Sequence, residues 1–230
     1  MTQESWKRLF PWQKNEGSSE LRRLERRIPG ERVVLRPKSI EDAEQDYRWR
    51  ADPELADLDA TAPIRLTLRE YRRYYRDELE FPSPWSVRYA IDTQDGVHIG
   101  NTMYYDIDRT RAQAELGIMI GNRDYWGRGY GTDAVRTLLR SIFLEAGLEY
   151  VYLHTLTYNE RAQGAFRRAG FKDVGTVRRE GRTFLKMDAR RDEWLAEFAP
   201  EETGTSSEEI GSDAEQNAAI SRGEGSQGQG

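Results

Sequence analysis

The chain contains no cysteine. That absence excludes a disulfide framework, a thiol nucleophile, an iron–sulfur cluster and a thiolate zinc site. Histidine is nearly absent too: His98 and His154 are the only two. Two cannot make a three-histidine metal site, and neither stands in an H-E-x-x-H pattern, so no metal is expected. No apolar run nears the length of a membrane span, and the first residues hold no apolar leader core. With no cysteine as well, the chain is expected in the cytoplasm. An excess of basic charge is also missing. The net charge is −5 and the pI near 5.4, which argues against a general nucleic-acid binder. Mean hydropathy is only −0.86, so part of the 230 residues is expected to stay outside any core. The remainder suffices for one ordinary domain.

The charge is unevenly spread. Residues 1–30 carry seven Lys/Arg and four Asp/Glu, whereas residues 200–230 carry one Arg and seven Asp/Glu. The stretch from Pro200 has no aromatic and almost no large aliphatic residue. It offers too little apolar surface to offset ordering entropy and reads as a disordered acidic tail. At the other end, Trp6, Phe10 and Trp12 alternate with Lys7, Arg8 and Lys14, and Pro11 breaks any helix there. This is a loosely packed tail or a segment that meets a surface or a partner. The expected organisation is a basic, aromatic tail (1–30), one domain (31–199) and an acidic tail (200–230).

Within 31–199 the hydrophobic periods alternate. Residues 18–30 suggest a short helix ending before Pro29. Residues 32–37 read as a strand, 40–50 as a helix capped by Ser39, and 67–80 as a helix capped by Thr67. Strands follow at 86–93, 97–108 and 113–121, the first two joined by an Asp95-Gly96 turn. Residues 132–146 form a strongly periodic helix, with Ala134, Val135, Leu138, Leu139, Ile142, Phe143 and Ala146 on one stripe. A β-rich strand (149–158), a helix (160–169) capped by Asn159, and a last strand (183–189) complete a mixed α/β domain.

The most informative segment runs from Glu115 to Val135. It is a strand, then a loop with Gly127, Gly129 and Gly131, then the start of a helix. Such a turn lets backbone approach a ligand, and the amides and dipole of a helix start favour an anion. Arg128 adds a cation. A phosphate or pyrophosphate site is implied. The chain has no G-x-x-x-x-G-K-[ST], and the G-x-G-x-x-G dinucleotide fingerprint is absent as well.

IGNRDYWGRGYGTDAV resembles the acyl-CoA pyrophosphate loop of the GNAT superfamily of N-acetyltransferases. YNERAQGAFRRAGF (158–171) resembles the helix motif of that superfamily, which ends in Gly-Phe. The opening VVLRPKSIEDAEQDYRWRADPE and the ending MDARRDEW resemble the branch that holds ribosomal-protein N-terminal acetyltransferases and spermidine acetyltransferases. The similarity spans roughly 31–198. It implies the GNAT fold: a splayed, mixed, mostly antiparallel sheet flanked by helices on both faces, with acetyl-CoA wedged between the fourth and fifth strands. Carried over residue by residue, the resemblance gives the pyrophosphate to the loop from Trp126 through Gly127, Arg128, Gly129, Tyr130 and Gly131 to Thr132. The pantetheine arm falls to Ile118, Met119, Ile120 and Asn159, and the ribose phosphate to Arg167 or Arg168. Asn159 also suits a plain helix cap. Two departures stand out. Trp126 replaces the usual Gln or Arg, in a contact made chiefly through backbone. Phe166 replaces a tyrosine that is the usual acid for the departing thiolate.

The implied reaction asks for a base, a donor to the carbonyl oxygen and an acid. Glu115, at the start of the strand leading to the loop, is the candidate base, and also reads as a structural carboxylate. A backbone amide near Met119 is the candidate donor to the carbonyl. Tyr158, or less directly Tyr125, is the candidate acid. The acceptor region, from Trp49 to about Pro63, holds Asp52, Glu54, Asp57 and Asp59, an acidity that suits a protein N-terminus, a polyamine or another small cationic amine. A second copy of the chain is a further candidate partner, and nucleic acid is not expected. The competing reading is an acetyl-CoA-binding sensor or scaffold without turnover, which Phe166 favours.

Overall fold

The computed structural model describes residues 26–198. The acidic tail and nearly all of the basic, aromatic segment lie outside the described residues. The elements run β1 (Ile28–Pro29), β2 (Val33–Pro37), α1 (Ala43–Ala51), α2 (Pro53–Leu58), α3 (Leu68–Glu80), β3 (Ser86–Thr93), β4 (His98–Asp108), β5 (Gln113–Ile120), α4 (Tyr130–Leu144), β6 (Tyr150–Leu156), α5 (Glu160–Arg168), β7 (Lys172–Arg179), β8 (Arg182–Arg190) and α6 (Arg191–Phe198). The eight strands form one sheet in the order β1-β2-β3-β4-β5-β6-β8-β7. Every neighbouring pair is antiparallel except β5 and β6.

Alternation along the strands sends two sets of side chains to two helical layers. On β4, Tyr104 enters the main core, while Asn101 and Met103 face the other way. α4 covers the first face. Ala134, Val135, Leu138, Leu139, Ile142 and Phe143 are all fully buried, and α5 packs beside them. α1 and α3 serve the second face, joined through Ala43, Tyr71 and Tyr75. Thr67 and Glu70 cap α3 reciprocally, which fixes where it begins.

Four elements differ from the sequence expectation, one of them α6, a closing helix not anticipated after the last strand. Residues 28–29 are extended, not helical: Ile28 is buried and pairs with Leu35, and Gly30 N–H closes the turn on the Val33 carbonyl. β7 was not expected, because nearly all its residues are exposed and it shows no apolar alternation. α2 is only six residues long, below the reach of any period; Pro53 at its start and the Asp52 side chain, which accepts from Glu54 and Leu55 amides, are its signals. Because the two-residue β1 precedes it, the strand pair expected as fourth and fifth is β5 and β6.

The first turn of α4 also ties down the start of the domain. The buried carboxylate of Asp133 accepts from the backbone amides of Glu31 (3.1 Å), Arg32 (2.7 Å) and Val33 (3.0 Å).

Candidate functional site

β5 and β6 pair only from Gln113 to Glu115 against Tyr150 to Tyr152. Beyond that point β6 stays with β8 to Leu156, while β5 stays with β4 to Ile120. The two strands therefore part, and the edge of β5 from Leu116 to Ile120 faces an open cleft. Ile118, Met119, Ile120, Trp126, Gly127, Gly129, Gly131, Thr132, Asn159, Phe166 and Arg168 all line it. These are expected binding residues. Arg128 and Tyr130 stand at its rim: the Arg128 guanidinium donates to the Asp124 carbonyl and lies over both the Tyr125 and Tyr130 rings.

The local folding of this cleft is legible. Asn122 caps a 3-10 turn at Arg123–Tyr125 by accepting from Asp124 N–H. Gly129 then stands at φ 87° and begins α4 with no side chain capping it, a conformation that favours glycine. The first amides of a helix of this length are thus presented to the cleft, with the positive end of the dipole. At the far end of β5, Gly121 is equally required: a Cβ there would fall 2.1 Å from the Trp49 ring.

The remaining expected residues are placed as follows. Asn159 accepts from Ala162 N–H and so caps α5 while lining the cleft. Arg167 is turned away into a pair with Asp173 (2.8 Å), whereas Arg168 lines the cleft. Phe166 is buried, edge-on to Phe171. Trp126 does more than lend its backbone. Its indole N–H donates to the Ile120 carbonyl at 2.6 Å, and the Arg161 guanidinium stacks 3.2 Å from the ring centroid.

Of the candidates for proton transfer, Glu115 and Tyr158 do not line the cleft. Glu115 is buried, with Oε1 2.8 Å from His154 Nδ1. Burial, with the Glu115 charge and hydrogen bond added, pushes the Tyr105 hydroxyl well above its ordinary range. Four residues along β5 separate Glu115 from Met119, a span of about 13 Å. Tyr158 is exposed, its hydroxyl donating to Asp57 at 2.9 Å. Tyr125 does line the cleft.

A second cavity, of about 460 Å³, opens between α1, α3 and the other face of β4 and β5. It meets the first at Asp59, Ile118 and Met119. Asp59 follows α2 directly and is the one carboxylate lining both. Its partner is Arg50, at 2.7 Å. The Asp59 side chain is exposed, with 37% accessible. Desolvation raises its pKa above the usual value, against the opposing pull of Arg50. The sequence placed Asp59 only within a run of acidic residues; its capping position after a six-residue helix was the missing signal.

Deeper in, Asp46 is held by Lys38 (2.8 Å), Tyr75 hydroxyl (2.9 Å), Asn101 (2.7 Å) and His98 (3.1 Å). Burial alone would raise its pKa, but the hydrogen bonds from His98, Asn101 and Lys38 and the Lys38 charge outweigh it and hold the group well below the carboxylate range. No group of side chains able to hold a metal occurs among the described residues, nor any helix long and apolar enough to cross a membrane.

A strand pair that parts beside a glycine-rich helix start, with a second cavity meeting the first across one strand, describes an acyl-CoA-dependent transferase. A family model described as an acetyltransferase (GNAT) domain matches residues 32–172. The chain belongs to the GNAT acetyltransferase family, and as such is an acyltransferase that draws on acetyl-CoA. It is 26% identical over 127 residues to an uncharacterised N-acetyltransferase p20 of Bacillus licheniformis, covering 53% of this chain and 68% of that protein. The fold is shared with the spermidine N-acetyltransferase of Vibrio cholerae solved with CoA and spermine, at TM-score 0.63 and 17% identity over 71% of this chain and 98% of that one. It is shared also with the aminoglycoside acetyltransferase AAC(6')-Ib solved with ribostamycin and coenzyme A, at TM-score 0.62 and 20% identity over 74% and 98%.

Proposed function

We propose that this chain moves the acetyl group of acetyl-CoA to a primary amine by direct attack, with the donor in the cleft between β5 and β6 and the acceptor in the cavity under α1 and α3. The observation that carries this reading is the meeting of the two cavities at Asp59, Ile118 and Met119. The donor, when bound, supplies an activated thioester carbonyl. The chain's own residues do the rest. The uncapped amides from Gly129 onward and Arg128 hold the pyrophosphate. The edge of β5 at Ile118 and Ile120, which β6 has left, pairs with the pantetheine arm, and Arg168 reaches the ribose phosphate. A backbone amide near Met119 steadies the carbonyl oxygen.

The nucleophile must shed a proton before or as it attacks. Asp59 takes that role, directly or through one water, since Glu115 is engaged by His154 and lies a long way down the strand. Tyr125 takes the place of the missing tyrosine at Phe166 as proton donor to the thiolate. Phe166 still supports one competitor, a binding module that does not turn over.

Calorimetry with CoA tests the donor site. Gly131 has an ordinary backbone conformation, and a Cβ there meets only Ile120 Cγ1, at 3.6 Å. Gly131→Asp therefore leaves the fold intact and sets a negative charge against the pyrophosphate. Affinity is expected to fall more than about tenfold, at least 1.4 kcal/mol. Unchanged affinity overturns the placement. Release of free thiol on adding an amine separates enzyme from binding module.

A further inference from the structure

The charge on the walls of the second cavity speaks to what enters it, given the proposed reading of that cavity as the acceptor site. Three carboxylates line it: Asp46, Asp59 and Glu78. Three cations line it as well: Lys38, Arg50 and Arg88. They are matched one to one. Asp46 holds Lys38 at 2.8 Å, Asp59 holds Arg50 at 2.7 Å, and Glu78 holds Arg88 and the Tyr74 hydroxyl. No carboxylate is left over for a second or third ammonium of a ligand. A polycation seated here would have to break a pair and strand a guanidinium or ammonium in a half-buried wall, which costs more than the new contact returns. The rest of the wall is aromatic and apolar. Trp49, Tyr71 and Tyr75 are buried there, Tyr71 and Tyr75 with ring centroids 5.8 Å apart, and Tyr74 stands at the mouth.

We infer that the acceptor is a primary amine carried on a single aromatic or other apolar body, not a polyamine or an aminoglycoside. The body lies among the tyrosines, where ring contacts and burial hold it. The one amine points to the junction at Asp59 and Met119. This differs from the ligands named for the folds it resembles, and within this chain it rests on the pairing of Lys38, Arg50 and Arg88 with the cavity's carboxylates. The same chemistry is offered by a free arylalkylamine and by a peptide whose first residue is aromatic.

The experiment is a panel of 2-phenylethylamine, a phenylalanine-first tripeptide, spermidine and kanamycin, with acetyl-CoA and the full chain, reading thiol release. One of the two aromatic amines is expected to exceed spermidine and kanamycin in kcat/KM by at least about tenfold. Which of the two wins assigns the source, small molecule or peptide. Tyr74→Ala, at an exposed position that leaves the fold alone, should raise KM for the preferred amine several-fold and leave kcat near its original value. Arg88→Gln frees Glu78 and should raise kcat/KM for spermidine relative to that for the aromatic amine at least several-fold. Spermidine or kanamycin turned over as well as the aromatic amines overturns the inference and leaves the acetyltransferase reading standing. CoA binding without thiol release for any of the four overturns both.

Discussion

What stands opposite Asp59 and opposite Glu115 decides the chemistry of each. Glu115 faces a histidine at hydrogen-bond distance and lines neither cavity. Asp59 lines both, and desolvation raises its pKa. A base works only ionised, so kcat/KM should fall as pH drops through that raised value, giving an acidic limb above the usual carboxylate range near 3.9. Asp59→Asn is expected to lower kcat about a hundredfold and remove the limb. Glu115→Gln should keep it; loss of the limb in Glu115→Gln alone would return the role to that residue. Asp46 gives a different pH signature. Its folded pKa lies below the unfolded value, so the unfolded chain binds more protons in that range and stability rises with pH there. Its contribution is complete above about pH 4 and drains away as pH falls towards the folded value. Urea melts from pH 7 down to pH 3 should show the loss. Asp46→Asn should flatten it while costing about 3 kcal/mol at pH 7, because Lys38 is left unpaired. At this scale the glycine loop and its neighbours were readable because their chemistry is written in consecutive residues. The partners of Glu115 and the junction place of Asp59 were not, since each depends on strands and helices far apart in sequence meeting.

α4 is the element on which two jobs converge. Its apolar stripe was plain in the sequence, and the helix covers the middle of the sheet with it. Its first turn does the rest: its amides face the cleft, and Asp133 gathers three amides from the turn before β2. Asp133→Ala strands those donors, of which the Val33 amide is buried, and should cost about 2–3 kcal/mol, seen as a lowered Tm and a shifted urea midpoint. An unchanged midpoint would show the three amides content with water. Elements with a strong period or clear caps, such as α3, α4 and the β3–β4 hairpin, were legible. β1 and β7 were not, because a two-residue strand has no period and an exposed edge strand has no apolar face. Their pairing is dictated by β2 and β8, not by their own residues.

For the molecule as a whole, the sheet's division of labour separates folding from binding. The larger apolar core lies on the face under α4 and a smaller one, with Ala43, Tyr71 and Tyr75, on the other face beside the proposed acceptor cavity, so a substitution at exposed Tyr74 acts on the cavity and leaves the larger core alone. The acidic stretch 200–230 offers almost no apolar surface to either face. Its deletion should leave Tm within about a degree or two; a larger drop, read by calorimetry, would mean that it docks.

The Trp126 indole N–H donates to the Ile120 carbonyl, one of the groups proposed to meet the pantetheine arm. Loading the donor is then an exchange of one hydrogen-bond partner for another, not an addition to a bare edge. Exchange has a kinetic signature. The observed rate of CoA arrival should level off at high CoA, where departure of the indole becomes the slow step. Trp126→Phe, which keeps a ring but has no N–H, should lift that plateau, and the β5 edge would then wait open, its carbonyl held by solvent alone.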